Sequence, residues 1–235
     1  MPVALDRATL LAALAAELRR APGEQLTGEA LLAHVLELLP AAESASITVR
    51  GRRGRYVTLA ATDDLAATAD QMQYELQEGP CVQVADGGDW CRSGDIATDD
   101  RWPAWGAKAA LELGARSMLS VRLVGDADHY GAINAYATSP GLFSDPVEVD
   151  LALLVATHAG LALSAAREAT SLRTAVHSRH IIGMAQGILM ERYELDAGQA
   201  FGLLRRYSNT LNTRLHDIAE EVVASRELPV VDHEP

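Results

Sequence analysis

The sequence predicts an α+β protein: an antiparallel sheet flanked by helices, then a long connecting helix, then a C-terminal three-helix module. Three observations predict it. The hydrophobic period is helical up to Leu39, switches to strict alternation at Ser46, and alternates again in later stretches that end near Thr138. After Pro146 the helical pattern meets no stop until Tyr193. Between Leu172 and Val223 three amphipathic runs follow one another, and their six arginines balance six acids although the whole chain carries a net charge of −12.

The elements follow in order. Leu10, Leu11, Leu14 and Leu18 form a helical stripe within Leu5–Arg20, stopped by Pro22 and Gly23. Thr27 is a candidate cap for a second helix, Glu29–Leu39, ended by Pro40. Residues 46–50 and 56–60 alternate around the turn GlyArgArgGly at 51–54, which reads as a β-hairpin. Asp63 or Asp64 caps a helix through Leu76, broken by GluGlyProCys at 78–81. A short strand near Trp90–Cys91 leads to Asp95, and Arg101–Leu113 is a helix ended by Gly114. Residues 117–124 and 130–137 are two strands around GlyAspAlaAsp at 125–128. Pro146 suits the first turn of the next helix. Continuous to Tyr193, that helix would span roughly 70 Å at 1.5 Å per residue. It is therefore expected to leave the first domain and enter the second. A heptad reading places Leu151, His158, Ala165, Leu172, Arg179 and Gln186 at one core position, and Leu154, Leu161, Glu168, Ala175, Ile182 and Leu189 at the other, so pairing with a second copy is expected. Gly183 and Gly187 cost the helix up to about 1 kcal/mol each relative to Ala and are read as sites of close helix approach.

Composition narrows the function. The acidic chain argues against indiscriminate binding to nucleic acid or an anionic membrane, and leaves room for a local basic face. Two cysteines, Cys81 and Cys91, exclude a disulfide scaffold and a cysteine-based zinc cluster. No signal-peptide pattern and no run of about 18 consecutive apolar residues occurs, so a cytoplasmic location with no membrane partner is expected. No Ser-His-Asp arrangement, phosphate-binding Gly-rich loop or paired acid site stands out. His177, His180 and His216 are read as lacking carboxylate or cysteine neighbours at ligand spacing. No catalytic residue, cofactor or metal is expected.

Four segments, residues 73–81 (QYELQEGPC), 95–103 (DIATDDRWP), 114–123 and 131–138 (GAINAYAT), together resemble a GAF domain over about residues 24–165. The resemblance implies a GAF-type sheet and a sensory pocket on one of its faces for an unknown small molecule. The Asn-Lys-Phe-Asp-Glu signature of cyclic-nucleotide-binding members is missing. Pocket candidates are Tyr74, Cys81, Trp90, Cys91, Trp102 and Trp105. The cysteines could attach a chromophore or form a redox pair, and the alternative for cysteines and aromatics alike is core packing.

In the C-terminal stretch, Ile181, Ala185, Ile188 and Leu189 share a helix face. Asp196 and Gln199 have capping-box spacing for the next helix, and Asn212 or Thr213 is a candidate cap for the last. Ser178-Arg179, Ile182, Ala185-Gln186-Gly187-Ile188-Leu189-Met190, Ala200-Phe201, Leu204-Arg205, Ser208, Asn212 and Ile218-Ala219 resemble the ANTAR domain, a three-helix RNA-binding module of bacterial antitermination regulators. The whole chain thus resembles an actinobacterial-type GAF–ANTAR regulator. The domains read as an N-terminal helix (1–23), a GAF sensory domain (24–165), an ANTAR domain (166–226) and a flexible tail (227–235). The resemblance implies a non-enzymatic homodimer that binds paired hairpins in nascent leader RNA. Arg205, Arg206, Tyr207, Asn212 and Arg214, at the junction of the last two helices, supply groups that stack on bases and hold phosphates. Arg179 and Arg192 extend that surface, and Gln186 stands where some relatives carry a basic residue. Met190, Ala185, Gly187, Ala200, Phe201 and Leu204 read mostly as core. The alternatives are a GAF-based redox enzyme of the methionine sulfoxide reductase kind and a protein-interaction signalling module.

Overall fold

The computed structural model describes residues 9, 12–14, 16–17, 23–51, 55–124 and 131–229. The expected helix Leu5–Arg20, the turns at 51–54 and 125–128 and the tail from 227 lie wholly or partly outside them. The chain forms two compact units, Met1–Glu168 and Ala169–Pro235.

The first unit is built on a five-stranded antiparallel sheet in the order β2-β1-β5-β4-β3. Its strands are β1 (Ser44–Arg50), β2 (Tyr56–Ala61), β3 (Trp90–Ser93), β4 (Ser117–Leu123) and β5 (Gly131–Ala137). The period of two divides each central strand between two buried faces. Ala45, Ile47 and Val49, with Leu119, Val121, Leu123, Ile133, Ala135 and Ala137, make one apolar face. Helix α1 (Glu24–Leu38) covers it with Leu31, Leu32, Val35 and Leu38, as does the first part of α5 (Pro146–Tyr193) with Leu151, Ala152, Val155, Ala156, Ala159 and Leu163. An 18-residue window of α5 has a mean hydropathy of 1.6, as apolar as a membrane span, but 44% of it is buried within the protein.

The other sheet face carries Ser46, Thr48, Met118, Ser120, Ala132, Asn134 and Tyr136, all buried. It lies under α2 (Asp64–Leu76), α3 (Pro80–Ala85) and α4 (Pro103–Leu113). Asp63 caps α2 by accepting from the Ala66 N–H, and Gly114 ends α4 in the left-handed region, both as the sequence predicts. Two local expectations fail. Helix α1 begins at Glu24 rather than Glu29, so Thr27 lies inside it and bonds back to the Gly23 carbonyl instead of capping. Helix α3 follows the break at 78–79 directly, because Pro80 is set for a first helical turn.

The second unit holds the end of α5, α6 (Ala197–Thr210) and α7 (Leu215–Ser225). The capping box is formed: Asp196 accepts from the Gln199 N–H, and the Gln199 side chain accepts from the Asp196 N–H. Neither Asn212 nor Thr213 caps α7. The N-cap is Arg214, and Asn212 instead takes the left-handed conformation that turns the chain. The core is small: Ala185, Leu189, Ala200, Leu204, Ile218, Ala219 and Val222. Met190, Phe201 and Gly187, expected inside, are exposed. A Cβ added at Gly183 or Gly187 would meet open space, so no helix of this unit approaches them.

Candidate functional site

In the first unit the sequence folds a dense polar network against the second sheet face. Register places Ser46 and Ser120 on either side of Asn134. Helix α2 turns Asp70 and Gln73 inward, where both are fully buried. Asp70 is the hub: one oxygen accepts from the Tyr136 hydroxyl (2.6 Å) and the Asn134 amide (3.0 Å), the other from Thr58 (3.0 Å), Tyr74 (3.3 Å) and Thr48 (3.4 Å). The Asn134 carbonyl in turn accepts from Ser120 at 2.8 Å. Gln73 donates to the Tyr136 oxygen (2.9 Å) and accepts from the Cys81 N–H (2.9 Å). Gly79, at positive φ, allows that second contact, because a Cβ there would overlap the Gln73 side chain.

Burial dominates the electrostatics. It pushes the Asp70 carboxyl up, against the lowering pull of its hydrogen bonds. Burial first, and then the Asp70 charge, push Tyr74, Tyr136 and the Cys81 thiol up as well. Tyr56, bonded to Asp86 at the rim, is raised to about 12, chiefly by burial. A groove of about 530 Å³, lined by Arg55, Tyr56, Val57, Gln71, Tyr74, Glu75 and Gln77, reaches the network at Tyr74.

The expected pocket residues divide. Tyr74 and Cys81 join the network, with Cys81 Sγ 3.0 Å from Thr48 Oγ1. Trp105 is fully buried, gives its indole N–H to the Ala69 carbonyl (3.2 Å), and meets Trp102 edge-on at 6.4 Å. Cys91 lies on the same side of the sheet, 3.5 Å from the Arg101 guanidinium, its thiol raised chiefly by burial. Arg101 also holds Asp99 down to about 2. Trp90 is elsewhere: its neighbour Cys91 faces the core, so alternation along β3 sends Trp90 out, beside Arg92 and Phe143. Both cysteines are free thiols. The reading of the aromatics and cysteines missed Asp70, Gln73, Asn134 and Tyr136. Their signal was present, since polar residues occupy core-facing positions of a helix and a strand.

In the second unit, Arg205 and Arg206 lie in the second half of α6, about one turn before its end at Thr210, and Asn212 and Arg214 occupy the turn before α7; all four are exposed. His177 of α5 meets His216 of α7 at 5.8 Å between ring centroids, which brings the level of Arg179 to the start of α7. Among the described residues no ion pair engages Arg179, Arg205, Arg206 or Arg214. Two other expected contacts are differently placed. Arg192 lies thirteen residues beyond Arg179, roughly 20 Å along the helix, and pairs with Glu227 at 2.8 Å. Gln186 donates to the Ala197 carbonyl at 3.1 Å, tying α5 to the first turn of α6. Tyr207 is half-buried against the bundle core.

Comparison with known proteins follows the same division. A GAF domain model matches residues 21–164 and an ANTAR domain model matches residues 170–223. Among curated proteins none matches the chain. Solved structures that resemble it include the GAF domain of a phosphoenolpyruvate-protein phosphotransferase from Coxiella burnetii, with a TM-score of 0.56 and 17% identity over 73% of this chain and 98% of that one. Type II free methionine-R-sulfoxide reductase from Thermoplasma acidophilum matches with a TM-score of 0.50 and 13% identity, over 61% of this chain and 94% of its own. The photosensory core module of Stigmatella aurantiaca phytochrome matches with a TM-score of 0.57 and 13% identity, over 88% of this chain and 45% of its own. At these identities the likeness is one of fold.

Proposed function

The chain belongs to the GAF domain family, followed by an ANTAR domain in the order of a GAF–ANTAR regulator, and on that premise we propose an RNA-binding transcription antitermination regulator. The GAF domain senses a small molecule and modulates the ANTAR domain, which holds paired stem-loops of a nascent leader transcript. The observation that carries this reading is that Arg205 and Arg206 on the second half of α6, and Asn212 and Arg214 in the turn before α7, are all exposed, with no ion pair to these arginines among the described residues. Guanidinium planes stack on splayed loop bases and hold phosphates, and an exposed amide reads base edges. Arg179 adds to this surface from α5. The pairings of Gln186 and Arg192 argue for leaving both out of it.

A homodimer suits two hairpins. In the first unit Leu154 and Leu161, seven residues apart and so on one face of α5, are each more than half exposed, and in the second unit so are Leu172 and Val176, four residues apart. A cytoplasmic location follows for a protein acting on nascent RNA.

The test is binding of the full chain to a two-hairpin RNA across a salt series. Arg205→Ala with Arg214→Ala should weaken binding at least tenfold and flatten the salt dependence, with unchanged circular dichroism. Undiminished affinity would remove this surface from the mechanism. Salt-independent docking to a protein partner would favour the interaction-module reading. The likeness to the free methionine-R-sulfoxide reductase keeps an enzymatic reading testable. Both thiols here are raised by burial, which leaves little thiolate for nucleophilic attack. Thiol-dependent turnover of free methionine sulfoxide would overturn the non-enzymatic assignment.

A further inference from the structure

We propose that His177, His216 and Glu220 form a binding site for a divalent transition-metal ion of the zinc class, linking α5 to α7. One potential ligand atom from each residue lies within 4.8 Å of the others. His216 and Glu220 are four residues apart on α7, one above the other on one helix face. Their closest approach is His216 Nε2 to Glu220 Oε1 at 3.3 Å. Ligands of a tetrahedral ion with bonds of about 2.1 Å stand about 3.4 Å apart. That pair is therefore already at ligand separation, and the His177 ligand atom, within 4.8 Å of both, must close a gap of at most about 1.4 Å to complete the set. His177 and His216 meet at an interplanar angle of 65°, so their ring planes diverge as two imidazoles around one ion can.

Imidazole and carboxylate together suit zinc-class ions rather than calcium or magnesium. Three protein ligands leave a fourth position for water. Contrary to the sequence expectation, His216 does have a carboxylate at ligand spacing, Glu220 one helical turn on, while His177 is thirty-nine residues away from His216 along the chain.

The ion would tie the start of α7 to α5, in a bundle that buries seven apolar residues fully among the described residues. Binding to the folded state alone raises its stability in proportion to ligand excess. The full chain without an affinity tag should bind one Zn²⁺ by calorimetry, and Co²⁺ should give the visible absorption of a tetrahedral site. His177→Ala and Glu220→Gln change exposed side chains, so the fold should persist by circular dichroism. Each should weaken Zn²⁺ binding at least tenfold and cancel the Zn²⁺-dependent rise in the unfolding temperature of the helical signal. His158→Ala, an exposed histidine of the first unit, should change neither. Zn²⁺ binding equally strong in His177→Ala and Glu220→Gln, or equally weakened by His158→Ala, would overturn the site.

Discussion

Replacing Tyr136 by Phe removes a single oxygen from the centre of the GAF network. The Tyr136 side chain is fully buried in β5. Phenylalanine fills the same volume, so no cavity opens and the cost is polar alone. The lost hydroxyl donates to Asp70 at 2.6 Å and accepts from Gln73 at 2.9 Å. A hydrogen bond to a buried carboxylate contributes about 1.5–3 kcal/mol. Asp70 keeps Asn134 on the same oxygen. The Gln73 amide keeps only the Met118 sulfur at 3.8 Å, which costs about 1 kcal/mol more. The expected loss is about 3 kcal/mol, or roughly 6–12 °C in the melting temperature of a unit this size. Trp90, Trp102 and Trp105 all lie in the first unit, so tryptophan fluorescence follows its unfolding without interference from the C-terminal helices. Urea titrations of the two proteins give the difference directly. A loss below about 0.5 kcal/mol, at unchanged slope, would refute the hydroxyl as an anchor of the network.

Three further outcomes follow. Asp70 has a raised carboxyl in the folded state, so the fold holds its proton more tightly than the unfolded chain, which titrates near 3.8. The stability this proton contributes is complete below that value and is lost as pH rises towards the folded value. Asp70→Asn cannot ionise, so its deficit relative to the wild type should shrink as pH climbs above about 4, and a constant deficit between about pH 4 and about pH 7 would contradict the buried-acid account. Leu204→Ala empties a fully buried position of the seven-residue ANTAR core and should cost about 2–5 kcal/mol. That bundle should then unfold early by circular dichroism and become protease-sensitive, while tryptophan fluorescence reports an unchanged GAF transition. Gly106→Ala places a Cβ against the Ile96 carbonyl, at the start of the 3-10 turn Ile96–Thr98. It should destabilise the first unit by about 1–3 kcal/mol in the same fluorescence assay, and a neutral result would mean that turn yields.

Much of the fold was legible because its signals are local. Alternation along β1, β4 and β5 identifies strands whichever way they pair. Asp63, the Asp196–Gln199 box and Gly114 mark helix ends through bonds or torsions confined to a few residues. The uninterrupted pattern from Pro146 to Tyr193 likewise belongs to a single helix. Errors arose where two local readings competed. Thr27 and Asn212 both suit caps, and the surrounding packing assigned one to a helix interior and the other to a left-handed turn.

The sites were less legible, because a site is made by residues distant in the chain. Arg179, Arg192 and Gln186 look equivalent on one helix. The separate pairings of Arg192 with Glu227 and of Gln186 with Ala197 distinguish them from Arg179. The sequence by itself determined the strands, the helix ends at Asp63, Gly114 and the Asp196–Gln199 box, the long helix and the order of the two domains, since each depends on neighbours in the chain. Only the tertiary structure decided that Asp70, Asn134 and Tyr136 share one buried network and that His177 meets His216 and Glu220. Those contacts join residues 39 to 66 positions apart, and periodicity along the chain carries no record of which distant side chains share a space.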